Sequence, residues 1–188
     1  HAHFATWAGY TARLIYKWYK IPYVITEHAS SINGNQTTPS QAVILKKSYS
    51  EARKIICVGT KLKRSLYPYI NDLDKVTVIP NFVDTSTFKF SLHQTEKEKH
   101  FTFISTGNLN KRKGFRDLLV AFHRTFKEMP HVSLLIAGDG EEMQSLTEQI
   151  QSLQLQRQVK LTGRLSREEL SELLSTCDAF VLASYAET

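Results

Sequence analysis

Phe101-Thr-Phe-Ile-Ser-Thr-Gly-Asn-Leu-Asn-Lys-Arg-Lys-Gly-Phe115 is the stretch that decides the fold. An apolar run of strand length, Phe101 to Ser105, breaks at Thr106-Gly107, passes three adjacent cations and reaches Gly114, after which residues to Glu128 read as a helix. The pattern repeats downstream. Val132 to Ala137 reads as a buried strand closed by Gly138-Asp139-Gly140, followed by a helix from Glu141 to Leu153 and a strand from Val159 to Thr162. Ser166-Arg-Glu-Glu169 is a capping box opening a helix to Thr176, and Ala179 to Ala183 is the next strand. Strands alternating with helices of about 10 to 15 residues call for parallel, doubly wound sheets, so the chain is read as α/β.

The first part of the chain alternates in the same way. A helix over Ala5 to Lys20 sets Trp7, Thr11, Leu14, Ile15 and Trp18 on one side, a stripe expected to serve core and interface packing. Pro22 then forces the extended segment Tyr23 to Thr26. A loop from Ala29 to Ser40 contains Asn33-Gly34, a helix runs on to Ala52, and a strand covers Lys54 to Val58. Thr60 is expected to cap a short helix, and Val76 to Ile79 is a strand ended by Pro80-Asn81. Polar residues from Ser91 to His100 suggest a linker. The expected organisation is a partial domain over 1–91, a linker over 92–100 and a second partial domain over 101–188.

Composition narrows the classes. At 188 residues with 41% hydrophobic and 22% charged side chains, the chain expects a packed core and excludes disordered and collagen-like classes. No apolar run approaches the roughly 18 residues that a membrane-spanning helix needs. Cys57 and Cys177 sit in or beside strand-like runs, which suits reduced thiols in a cytoplasmic protein. Residues 1–91 hold 12 Lys or Arg against 5 acids, whereas residues 92–188 hold 12 against 13, so the halves carry +7 and −1 and the basic surplus belongs to the first half. Lys46, Lys47, Arg53, Lys54, Lys61, Lys63 and Arg64 are either a solvated face or a surface for phosphates. A nucleic-acid binder is disfavoured, because no zinc module, aromatic-basic strand or recognition helix is present. The chain opens on His1-Ala2-His3 without methionine or a secretory pattern and closes on Glu187-Thr188, so a fragment cut at both ends is expected.

In open parallel sheets ligands sit beyond the carboxyl ends of the strands, so the residues after each strand hold the candidates. Gly107, Asn108 and Lys113 combine a glycine turn, a helix start and a cation, which suits a diphosphate, although an exposed basic turn has the same letters. Gly138-Asp-Gly140 imitates a dinucleotide fingerprint, but Met143 replaces its third glycine and the acids oppose a pyrophosphate. It reads as a turn near a nucleoside. Glu187, after the last strand, can accept hydrogen bonds from sugar hydroxyls. His28, after Glu27, can donate to a substrate oxygen or be a satisfied core imidazole. His1-x-His3 has metal-ligand spacing without a third ligand nearby, so no metal is assigned. Asn35-Gln-Thr37 is a glycosylation sequon by letter only.

Together these positions resemble the retaining nucleotide-sugar glycosyltransferases of family 4. The resemblance rests on His1-Ala-His-Phe4, Ile21-Pro-Tyr-Val-Ile-Thr-Glu-His28, Cys57-Val-Gly-Thr60 and Val78-Ile-Pro-Asn-Phe-Val-Asp84 in the first half. In the second it rests on Ser105-Thr-Gly-Asn-Leu109, Lys113-Gly-Phe115, Ile136-Ala-Gly-Asp-Gly140, Leu161-Thr-Gly-Arg164 and Asp178 to Thr188. It implies two Rossmann-like domains of the GT-B fold, both incomplete here. Lys113 resembles the family lysine on the donor diphosphate, and Glu187 the first glutamate of the E-x7-E motif. His28 resembles the histidine facing the transferred sugar, and Gly163-Arg164 the loop meeting the nucleobase. Asn108 stands where the family commonly has arginine, which keeps open a binding protein without catalysis. The implied activity is transfer from a nucleotide-sugar to a glycan or lipid-linked acceptor, with retention and without metal or cofactor. An anionic membrane surface is a further expected partner, and the cytoplasm or its membrane face the expected location. The fragment alone is expected to be inactive.

Overall fold

A computed structural model of the chain describes residues 1–29, 32, 37–88, 100–185 and 187. Asn33-Gly34, Asn35 of the sequon and residues 92–99 of the expected linker lie outside the described residues. Two compact units divide the chain, one of His1–Phe82 with residues 186–188 and one of Val83–Tyr185.

In the first unit β1 (Ala2–His3), β2 (Val24–Glu27), β3 (Lys54–Cys57) and β4 (Val76–Val78) form one parallel sheet in that order. Ile25, Ile55 and Cys57 are buried in its core with Leu45, Tyr49 and Leu62 from the crossing helices. The helices are α1 (Trp7–Tyr19), α2 (Pro39–Glu51) and the short α3 (Thr60–Ser65). Thr38 and Gln41 make a capping box for α2, with Pro39 in its first turn. Thr60 is the first residue of α3 and not its cap. Gly59 holds that position without a side-chain bond.

Of the core and interface packing expected of the Trp stripe, the core part is overturned. Trp7 is 78% and Trp18 73% exposed, and Ile15 is exposed too. The covered side of α1 carries Gly9 and Arg13, which are buried, and Ala12 and Tyr16, which pack on the core, with Ala5 buried just before the helix. A Cβ on Gly9 would lie 3.2 Å from Ile25 Cδ1, so the backbone approaches the sheet closely at this position and the bulky side faces out. Arg13 is buried because its guanidinium donates to Glu51 at 3.0 Å.

The second unit has strands β5 (Phe101–Thr106), β6 (Val132–Ala137), β7 (Val159–Gly163) and β8 (Ala179–Phe180), paired in parallel in the order β7-β6-β5-β8. The chain winds outward from β5 to β7 and then returns to the other side of β5, so the order reverses between β5 and β8. That reversal is a topological switch point, where open α/β sheets leave a crevice. Helices α4 (Phe115–Phe126), α5 (Met143–Ser152) and α6 (Arg167–Ser175) make the crossovers. Leu119, Phe122, Leu134, Ile136 and Leu146 fill the core. The Ser166/Glu169 capping box forms as its letters predict. The last strand pairs over only two of the five expected residues, although Val181 N–H still donates to the Ile104 carbonyl at 2.8 Å. Phe180 and Leu182 are exposed.

Candidate functional site

The turns at the carboxyl ends of β5 and β6 interlock. Gly107 N–H donates to the Ala137 carbonyl at 3.0 Å, Leu109 N–H to the Asp139 carbonyl at 2.9 Å, and Glu142 N–H to the Leu109 carbonyl at 2.9 Å. Gly138 N–H then reaches across to the Gly163 carbonyl at 2.8 Å, beside the register shift at the end of β6. This interlock explains the glycine at 138. Its φ is +148°, and a Cβ there would run into the Gly107 carbonyl oxygen.

Around these turns opens a pocket of about 740 Å³ whose lining includes Gly107, Asn108, Gly138, Asp139, Gly140 and Arg164. Four of the predicted site positions, Gly107, Asn108, Gly138 and Arg164, are therefore brought to one place, with Gly163 adjacent through its carbonyl. Lys113 joins them from the single 3-10 turn Lys111–Lys113, since its Cε would lie 3.5 Å from a Cβ on Gly107. Its aliphatic stem runs along the glycine turn. Asn108 is exposed, and its Oδ1 lies over Gly140 at the spot a Cβ would need.

Gly114, with φ +67°, is the N-cap of α4. A Cβ there would meet the Ala183 carbonyl oxygen, so the cationic turn and the segment after β8 approach to backbone contact. Tyr185 extends this link. Its N–H donates to the Arg112 carbonyl at 2.9 Å and its hydroxyl donates to Asp117. That bond, with the charge of Asp117 behind it, holds the phenol above its ordinary range. Asp117 and Tyr185 were not among the predicted positions. The available signal was the acid in the first turn of α4, where the helix dipole favours it. Glu142 was also missed: it is 4% exposed, and its buried Oε2 has no hydrogen-bond partner among the described residues.

The other predicted residues lie elsewhere. His28 is in the first unit, where its Nε2 is 3.1 Å from His3 Nδ1, and His1 stacks on His3 with ring centroids 4.7 Å apart. It borders a hollow of about 440 Å³ that also touches Phe4, Thr6, Glu27 and Gln41. Among the described residues no three His, Cys, Asp or Glu side chains are grouped to hold a metal ion. Glu187 follows Tyr185 and groups with the first unit. The basic cluster is partly spent on the chain itself: Lys54 Nζ donates to the Asp74 carbonyl at 3.0 Å and Lys63 Nζ to the Val76 carbonyl at 3.3 Å.

A family model described as "Glycosyl transferases group 1" matches residues 87–188, and one described as "Glycosyltransferase Family 4" matches residues 1–87. The chain belongs to the family 4, group 1 glycosyltransferases. Alpha-monoglucosyldiacylglycerol synthase of Streptococcus pneumoniae is 27% identical over 90% of this family 4 chain and 42% of its own length. Glycogen synthase of Mycobacterium tuberculosis is 26% identical over all of this chain and 46% of its own. The chain thus spans under half the length of these curated relatives. Among solved structures, Anabaena Alr3699/HepE in complex with UDP superposes with a TM-score of 0.80 at 19% identity, covering 94% of this chain and 50% of that one. Sucrose-phosphate synthase from Thermosynechococcus elongatus gives 0.80 at 17%, covering 98% and 50%. At these identities the likeness shows the fold, and the fold is GT-B.

Proposed function

We propose that the whole protein moves a sugar from a nucleotide-diphosphate-sugar donor to a glycan or lipid-linked acceptor, with retention of configuration and without a metal. The observation that carries this reading is the convergence of Gly107, Asn108, Gly138 and Arg164 on one pocket beyond the carboxyl ends of β5, β6 and β7, with Lys113 laid along Gly107. Small residues let a ligand approach the backbone. A lysine and turn amides offer donors to the oxygens on which charge builds as the diphosphate leaves, and such preorganised donors lower the barrier most where water is excluded. Arg164 and Gly163 would border the nucleobase, and Glu187 and His28 would meet the sugar. The donor class is supported by Alr3699/HepE, whose structures hold UDP and UDP-glucose.

A lipid-linked acceptor is favoured by the name of the pneumococcal relative and by the basic first unit, which would draw the protein to an anionic membrane face from the cytoplasm. Lys46, Lys47 and Lys75 border a hollow of about 600 Å³ in that unit. The 188-residue stretch alone would be inactive, since it spans under half the length of its curated relatives. The test is to incubate the whole protein with UDP-glucose, UDP-N-acetylglucosamine or GDP-mannose and vesicles containing dioleoylglycerol. Release of nucleotide diphosphate with an α-linked glycolipid supports the reading, and an inverted product or no donor consumption contradicts it.

A further inference from the structure

Glu27 ends β2 with 0% exposure. A carboxylate taken out of water costs several kcal/mol unless donors replace the lost hydration. Four do so here. Oε1 accepts from the N–H groups of His28 at 3.1 Å and Ala29 at 3.0 Å, while Oε2 accepts from Ala5 N–H at 3.0 Å and the Tyr49 hydroxyl at 2.7 Å. The two oxygens serve two different corners of the chain. Oε1 shapes the turn after β2, which carries His28. Oε2 closes the turn from β1 into α1, where Phe4 takes a left-handed φ of 67°, and ties both to α2 through Tyr49. Burial first, then the charge of Glu27, pushes the Tyr49 hydroxyl well above its usual range and the Cys57 thiol to about 11.

The two corners are those that present His3 and His28, whose ring nitrogens stand 3.1 Å apart and whose rings stack at 5.3 Å. We infer that Glu27 is a positioning residue for transfer, holding the backbone under His28 and under the His3 corner so that the imidazole pair has one geometry. This rests on the reading of His28 as the group that faces the transferred sugar. Only a carboxylate can do this. A glutamine in its place has one acceptor oxygen, so its amide nitrogen must face either the His28 and Ala29 N–H groups or the Ala5 N–H, donor against donor.

The experiment compares Glu27→Gln, Tyr49→Phe and a core control, Leu66→Ala, in the whole protein by NMR. The readouts are the position and width of the His28 ring resonance, amide exchange at Ala5, His28 and Ala29, the thermal midpoint and UDP affinity. Glu27→Gln is expected to displace or broaden the His28 resonance and to speed exchange at one corner by about tenfold or more, with UDP affinity within about twofold, because the donor pocket belongs to the other unit. Tyr49→Phe should do the same to a smaller degree, while Leu66→Ala lowers the midpoint without moving the resonance. An unmoved His28 resonance in Glu27→Gln, or an equal disturbance in Leu66→Ala, overturns the proposal. In the whole protein, with UDP-glucose as probe, Glu27→Gln should slow donor turnover by about 10- to 100-fold at unchanged donor KM. If His28→Ala slows turnover and Glu27→Gln does not, the role of Glu27 alone falls. If His28→Ala has no effect, the reading of His28 falls and this inference with it.

Discussion

Lys113 and Asn108 separate a phosphate-binding turn from a merely basic one. Lys113 is fixed along Gly107, so Lys113→Ala should remove a charged hydrogen bond to the donor and weaken UDP binding by about 1.5 to 3 kcal/mol, read by calorimetry. An unchanged affinity would return the turn to the surface. Asn108 is exposed and only overlies Gly140, so Asn108→Arg should fold normally and bind UDP as tightly or more tightly. Loss of the fold would show that Asn108 is needed to hold the Gly138–Gly140 turn. Buried groups set an alkaline limit, Cys57 and Tyr23 beside Tyr49. Burial foremost raises the Cys57 thiol from 9.0 to about 11 and the Tyr23 hydroxyl from 10.0 to about 12. A folded-state pKa above the unfolded value means the native state holds more protons in that window, so stability should fall as pH rises from about 9 to about 12. Urea midpoints at pH 8 and pH 10.5 would measure it, and Cys57→Ala should flatten the first part of the slope.

Most strand and turn positions were legible because the physics that sets them is local, whereas the two-residue β1 was too short a run to show a pattern. Glycine after an apolar run, a capping box before a helix and the reversal of direction at each turn all appear in the letters, and the pocket formed where those turns meet. The face of α1 was not legible. Counting bulky residues gave Trp7 and Trp18 to core and interface packing, whereas the core takes the side of Gly9, Ala12, Arg13 and Tyr16, with the helix backbone close to the sheet at Gly9. Nor could the letters reveal the link from Tyr185 to Asp117, which spans 68 residues of sequence. Gly114 tests this scale. Gly114→Ala would place a methyl against the Ala183 carbonyl at a left-handed φ of 67°, and should cost about 1 to 3 kcal/mol in urea unfolding. A neutral result would mean that the turn and the β8 segment are not pressed together.

On the scale of the molecule, the basic surplus shares the first unit with His28 and the glycine pocket lies in the second. On the proposed reading, membrane attachment and donor binding should therefore be separable. Lys61 and Arg64 are exposed while Lys63 is tied to the Val76 carbonyl, and the fair test of attachment is therefore Lys61→Glu with Arg64→Glu. Flotation with phosphatidylglycerol vesicles at low salt should weaken by up to about 1 kcal/mol for each cation removed, with UDP affinity unchanged. Vesicle binding that survives the reversal would leave those cations as a solvated face. The most direct test of the central claim is a titration of UDP into the isotopically labelled 188-residue chain, followed by amide NMR. The account predicts saturable shifts at Gly107, Asn108, Gly138 and Arg164 that disappear in Lys113→Ala. No shifts, or shifts confined to the Lys46, Lys47 and Lys75 hollow of the first unit, would contradict it.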